Sequence, residues 1–319
     1  PEQFLSDGAH FELSPMYHEI VLWDLLELIN LAKTSENAKV LKYLPYWSAV
    51  AEKAIEWLRC MIHPDGEISF FNDAAIGIAA SPKEIFRYAQ SLGLLVADHL
   101  PEMVTHKVSG YSRLTLSRYS LIIDHANVGP DYLPGHAHAD TLSFELSVGN
   151  QRVFVNSGTS LYGVSSERLR QRKTAAHNTV VVDNEDSSEV WSGFRVARRA
   201  YCHLLNVDQS ESKFYLKAQH DGYSRLKGRI THTRCFQADD NKIIIVDELF
   251  GQYTQASAFF HLHPNIKITS ITDNEIILKT ECGRVIAINS DSYIEVLDSS
   301  YHPEFGVTIC NKMLKIGIF

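Results

Sequence analysis

Between Tyr17 and about His99 apolar residues recur at helical spacing, most clearly at Trp47, Val50, Ala51, Ala54, Ile55, Leu58 and Ile62, so that one side of each turn is apolar. The pattern predicts a helix from Met16 to Ala32, a second from Leu44 to Met61 with Pro45 in its first turn, and a third that opens at Ser81. Ser81-Pro82-Lys83-Glu84 supplies a capping hydroxyl, a proline at the first helical position and a glutamate at the third, which sets where that helix starts. Beyond Gly110 the period falls to two. Leu142, Phe144, Leu146 and Val148 alternate with polar residues, and Gly149-Asn150 then turns the chain into Arg152 to Val155. Similar runs at Thr179 to Val182, Ile243 to Val246, Ala258 to Leu262, Ile276 to Lys279 and Val285 to Ile288 end in Gly, Asn, Asp or Pro. Short strands with no helical pattern between them predict an antiparallel β-sandwich rather than parallel βαβ units. The fold class is therefore α+β, with a helical part over residues 1–105 and an antiparallel part over 106–319. Three amphipathic helices cannot cover one another's apolar faces completely, so the helical part is expected to be incomplete.

Composition narrows the picture without naming a ligand. The chain has 319 residues, 45% apolar and 21% charged, and no apolar run near the ~18 residues of a membrane span. A formal net charge of −8 and no Lys/Arg run argue against a nucleic-acid or anionic-membrane partner. Five cysteines without CxxC spacing read as mostly buried thiols. The chain starts at Pro1 without a signal-peptide pattern, and is expected to be a fragment of a longer protein.

The densest polar segment is Gly135-His136-Ala137-His138-Ala139-Asp140. On an extended strand alternate residues share a face, which would align His136, His138 and Asp140 with Leu142 and Phe144. Two histidines so spaced suit a metal, and a third ligand must then come from another strand. His177 is the best placed, and Asn156 ends another strand. Hydrogen-bonded structural histidines explain the spacing equally well. A cupin site is a poor match, since Glu145 lies seven residues past His138. His261-Leu262-His263 follows an apolar run and reads as structural. Near the start, Ser14-Pro15 signals a helix whose first turn carries Tyr17 and His18.

Together these segments resemble the C-terminal part of the heparinase II/III-like polysaccharide lyases, a family that includes oligoalginate lyases. The resemblance rests on Asp7 to His18, Pro64-Asp65-Gly66 with Phe71-Asn72-Asp73, Gly135 to Asp140, Asn156-Ser157-Gly158-Thr159, Ala176-His177-Asn178-Thr179-Val180, Arg195 to Ala200 and His220 to Tyr223. It implies the end of an α/α toroid followed by antiparallel sheets, with a cleft for an acidic glycan between them. It also implies that Tyr17 exchanges protons during β-elimination, that His136 assists, and that His138 and His177 hold a metal, usually zinc. Asn156 stands where the family usually has an aspartate, and a neutral amide is a weaker ligand. Asn72, Asp73, Asn178 and Arg172 are expected to contact substrate, while Arg168, Arg170, Arg172 and Lys173, read as a loop, could offset the negative charge of the chain.

The implied chemistry explains these residue types. Removing the C5 proton of a uronate requires donors that neutralise its carboxylate and a base within ~3 Å of C5. The family places an Asn or His pair for this some fifty residues before the tyrosine, which falls outside this chain, so the chain alone is expected to be a poor catalyst. The implied partner is an acidic polysaccharide or oligosaccharide, with a homodimer left open, in a bacterial protein of undetermined compartment. The competing reading is a noncatalytic glycan-binding or scaffold protein that kept the fold.

Overall fold

In the computed structural model, which describes residues 2–35, 37–97, 99–210 and 213–318, helices precede Ser91 and strands dominate from Met103 onward. Helix α1 spans Pro15–Thr34, α2 is the single turn Ala38–Leu41, α3 spans Leu44–Cys60 and α4 spans Pro82–Ser91. Ser14 caps α1 by accepting from the Tyr17 N–H at 3.2 Å, and Ser81 with Glu84 closes the expected capping box on α4. Leu22, Leu26 and Ile29 of α1 pack on Ala51, Ala54, Ile55 and Leu58 of α3 and on Ile85 and Ala89 of α4. The outer side of α1 and α3 remains open as an apolar groove of about 710 Å³ lined by Phe4, Leu25, Leu28, Tyr46 and Trp47.

The first sheet is the meander β1 (Met103–His106), β2 (Tyr111–Thr115), β3 (Tyr119–Asp124), β4 (Phe144–Val148) and β5 (Gln151–Phe154), antiparallel throughout. A second sheet orders Ile243–Phe250, Thr231–Ala238, Lys213–His220 and Cys202–Ser210. A third orders Ile294–Tyr301, Ile309–Ile318, Ala256–His261 and Val180–Val182. Leu121, Ile123, Phe144 and Leu146 of the first sheet share one core with Leu216 and Phe236 of the second and Ile294 and Leu314 of the third. On the opposite face of the first sheet, Tyr111 and Ile122 pack on Trp57 of α3. Strand β3 is buried along its whole length because layers cover both of its faces.

Two expectations are corrected. His136, His138 and Asp140 do not lie on a strand: β4 begins at Phe144, and Leu142 takes a left-handed φ of +63° that breaks the extended run before it. The segment read as a loop around Arg168 contains a helix, α5 (Ser166–Arg172), started by Ser165, which accepts from the Arg168 N–H at 3.1 Å. Of the cysteines, Cys60, Cys202 and Cys235 are buried, while Cys282 and Cys310 are exposed; all five are free thiols.

One fully buried polar contact ties the helical layer to the first sheet. His63, just after α3, places Nδ1 2.7 Å from Ser147 Oγ and Nε2 2.7 Å from Glu145 Oε2, both on β4. Glu145 Oε1 also accepts the N–H groups of Phe70, at 3.2 Å, and Asn156, at 2.8 Å. Burial pushes the Glu145 carboxyl up to about 7 and holds His63 well below its usual value, so burial works against both charged forms of the pair. We expect His63→Ala to cost ~3 kcal/mol in denaturant unfolding, because it strands a buried carboxyl oxygen. Glu145→Gln should cost ~1 kcal/mol, since an amide still accepts both N–H groups and can donate to His63.

Candidate active site

Residue Asp73 lies in the connection between α3 and α4 and is completely buried. A lone carboxylate there would be driven to protonate, so its neighbours decide its charge. Arg168 of α5 grips it with both guanidinium nitrogens, Nη2 reaching Oδ2 at 2.7 Å and Nη1 reaching Oδ1. His136 Nδ1 lies 3.0 Å from Oδ2 and His138 Nε2 lies 2.8 Å from Oδ1. Thr159 Oγ1 adds a donor at 3.3 Å. Burial alone would raise the Asp73 carboxyl, but the bonds from His136, His138 and Arg168 outweigh it and hold the group far below the ordinary carboxylate range.

An ionised carboxylate only accepts, and this fixes both imidazoles. In its neutral form His136 carries its proton on Nδ1 and has its lone pair on Nε2; neutral His138 carries its proton on Nε2 and has its lone pair on Nδ1. His136 is partly exposed, whereas His138 is buried and turns its free Nδ1 inward toward His177. The loop bearing them is held by Asn72, whose left-handed φ of +57° turns its side chain so that Oδ1 accepts from the His138 N–H at 3.1 Å. Its Nδ2 donates to the Leu13 carbonyl at 3.0 Å, and Ser14 Oγ donates to the Asp73 carbonyl. These contacts lock the start of α1 to the same loop.

That lock brings Tyr17 to His136. The two rings lie 3.9 Å apart between centroids with 31° between planes, and Tyr17 Oη sits 3.0 Å from Tyr162 Oη. Burial raises the Tyr17 hydroxyl; the Tyr162 bond and Arg168 oppose the rise, while Asp73 and Glu12 add to it, so the resting group is a phenol. Tyr162 itself packs against Phe305, with ring centroids 4.8 Å apart, and on Arg168, whose guanidinium carbon is 5.0 Å from its ring. The segment before it can pass close to residue 302 because Gly158 has no side chain: a Cβ there would stand 2.1 Å from the His302 carbonyl oxygen. Glu12 is half-buried beside the cleft. Burial raises its carboxyl, His136 opposes the rise and Asp73 adds to it.

His138 Nδ1 and His177 Nε2 face each other at 3.3 Å, and burial with the neighbouring His138 holds His177 well below its usual value. His177 Nδ1 is buried, and its one neighbour of note among the described residues is the Gln171 backbone. Asn156 has other work: its Oδ1 accepts from the Asn178 N–H at 3.2 Å and its Nδ2 reaches Ser143 Oγ at 3.5 Å. Among the described residues no three His, Cys, Asp or Glu side chains converge as a metal site. His261 is bonded through Nε2 to the Ala175 carbonyl at 2.9 Å and is structural.

Asn72, Asp73, Asn178 and Arg172, the expected substrate contacts, are all buried, with their side chains engaged by protein groups. Asn178 spends its side chain on the Phe144 carbonyl at 2.7 Å and the His261 N–H at 2.6 Å. Arg172 donates through Nη2 to the Ala137 carbonyl at 2.9 Å. In the basic cluster Arg168 is paired with Asp73, Arg170 pairs with Glu167 at 2.7 Å, and Lys173 stands 3.8 Å from Asp186. Tyr162 and the positioning role of Arg168 were not read from the sequence. The Ser165 cap could have indicated α5, but nothing periodic marks Tyr162.

Residues 98–313 match the family model described as heparinase II/III-like, C-terminal, and residues 1–92 match that of the heparinase II/III N-terminus. A heparin-sulfate lyase of Bacteroides stercoris is 26% identical over 276 residues, covering 78% of this chain and 38% of that protein. Among solved structures, a heparinase III gene product aligns with a TM-score of 0.80 at 17% identity, over 99% of this chain and 51% of its own. The heparan sulfate lyase HepC from Pedobacter heparinus aligns at 0.77 and 15%, over 99% and 51%. The chain thus spans well under two thirds of these relatives.

The central carboxylate can be tested directly. Asp73→Asn should destabilise the protein by ~3–5 kcal/mol in denaturant unfolding, since a buried Arg168 then lacks its counter-charge. A loss below ~1 kcal/mol would mean that Arg168 does not depend on Asp73.

Proposed function

This chain belongs to the heparinase II/III-like family, and on that premise we propose that it is the C-terminal part of a polysaccharide lyase that cleaves a uronate-containing acidic glycan by β-elimination. The observation that carries the reading is the close, tilted ring contact of Tyr17 with His136, whose neutral tautomer Asp73 dictates. In the proposed reaction the C5–H and C4–O bonds break and a C4=C5 double bond forms. His136 Nε2, which holds a lone pair, takes the C5 proton; the protonated Tyr17 hydroxyl gives its proton to the departing glycosidic oxygen. The names of the relatives support an acidic polysaccharide as substrate. The helices α1, α3 and α4 would then be the last part of an α/α toroid, whose other helices cover the apolar groove outside α1 and α3. Donors for the substrate carboxylate would come from that same preceding part.

Zinc is part of the proposal. A tetrahedral zinc with bonds of ~2.1 Å holds two nitrogens about 3.4 Å apart, which suits His138 Nδ1 and His177 Nε2 at 3.3 Å. The third donor would be the amide oxygen of Asn156, through the lone pair that the Asn178 N–H does not take. Bound there, zinc would pin the loop of residues 136–138 to the segment bearing His177, a structural service.

The first test is a screen of the full-length protein against uronate polymers, reading unsaturated product by ultraviolet absorbance. In an active protein Tyr17→Phe and His136→Ala should each lower kcat by ~10²-fold or more with little loss of stability. Near-normal turnover in Tyr17→Phe would remove that residue from the reaction. For the metal, Asn156→Asp should raise the zinc retained after dialysis, and His138→Ala should abolish it. If Asn156→Asp only lowers the melting temperature and retains no more zinc, the buried carboxylate has no ion to pair with and the zinc reading falls.

A further inference from the structure

Two stretches of chain flank the Tyr17–His136 pair and neither has a role in the mechanism above. One is Phe11-Glu12, just before the cap of α1; the other is the loop of residues 129–134 that leads into His136. They meet through Phe11 and Tyr132, whose rings are nearly parallel, 8° between planes and 5.9 Å between centroids. Tyr132 is 73% exposed, so one face of its ring is open to a ligand while Phe11 backs the other. The loop that carries it is pinned: Arg199 donates to the carbonyls of Pro130 and Asp131, each at 2.9 Å. The ring is therefore presented on a fixed backbone.

Glu12 adds the polar half. Its carboxyl is half-buried, lies near His136, and has no hydrogen-bond or ion-pair partner among the described residues. A carboxyl kept partly out of water without a donor is a group waiting for one. Sugar hydroxyls are donors, and the axial C–H faces of a pyranose pack on an aromatic ring. An aromatic platform beside an unspent acceptor therefore matches a pyranose bearing free hydroxyls.

We propose that Phe11, Glu12 and Tyr132 form a sugar subsite beside the reaction centre, in which Tyr132 backed by Phe11 receives the ring face and Glu12 accepts from the ring hydroxyls. This deepens the lyase reading and rests on it. Glu12 is a specificity-determining residue in this assignment: replacing a hydroxyl on that ring by an O-sulfate removes a donor and sets two anionic groups against each other.

The test measures binding in the full-length protein carrying Tyr17→Phe, so that turnover does not consume the probe. The probes are an unsulfated glucuronate–N-acetylglucosamine tetrasaccharide and the same tetrasaccharide bearing O-sulfates, titrated by calorimetry. Tyr132→Ala should weaken the unsulfated probe ~10-fold and Tyr132→Trp should restore it, a rescue that a purely structural loop residue would not give. Glu12→Gln should leave the unsulfated probe within ~3-fold and tighten the sulfated one by ~5-fold or more. Unchanged affinities in Tyr132→Ala, or an unchanged sulfated-to-unsulfated ratio in Glu12→Gln, would overturn the subsite while the lyase reading stands if wild-type protein still releases unsaturated product. If the protein with its native Tyr17 neither binds nor cleaves uronate glycans, the lyase reading falls and takes the subsite with it.

Discussion

A buried, ionised carboxylate surrounded by donors is the constraint on which the rest of the site depends. Asp73 satisfies Arg168, His136 and His138 at once, and each of these belongs to a different demand. Arg168 brings α5 onto the helical layer. His136 stays partly exposed, and His138 presents its bare nitrogen to the interior. Because the carboxylate can only accept, it sets opposite tautomers on two imidazoles only two residues apart. Neither histidine could choose its proton position without it.

The broad architecture was legible because the change from a 3.6-residue to a two-residue period is a property of the chain itself. Ser81 to Glu84 is a local chemical instruction, and α4 obeys it. Elements that obey no period were lost. Helix α5 is short and rich in arginine, with Arg168, Gln171 and Arg172 facing inward, so a scan for apolar faces cannot see it. The Gly135 to Asp140 segment failed in the opposite way. Its alternation resembles a strand, but its backbone follows tertiary hydrogen bonds to Asn72 and Asp73 rather than a neighbouring strand.

The site was legible as a set of residue types and much less as a geometry. Tyr17 and His136 are over a hundred positions apart, and tertiary contacts such as those of Ser14, Leu13 and Asn72 bring them together. The polar residues read as cleft contacts are buried, with their side chains engaged by protein groups. Spacing reveals which side chains are grouped, whereas whether a polar group meets water or a carbonyl depends on layers supplied by distant parts of the chain. Tyr162 was missed for the same reason, since its partner is 145 positions away.

The position of Asp73 along the chain has a consequence for modularity. It belongs to the stretch matched by the N-terminal family model, yet its ligands Arg168, His136, His138 and Thr159 all belong to the stretch matched by the C-terminal one. His63 repeats the arrangement, reaching from the helical layer to Glu145 and Ser147. The two matched stretches are therefore not interchangeable parts. A protease that nicked the connection near residues 95–102 would cut the chain without separating the halves, and a recombination event that exchanged one half for a relative's would have to import a matching set of buried charges.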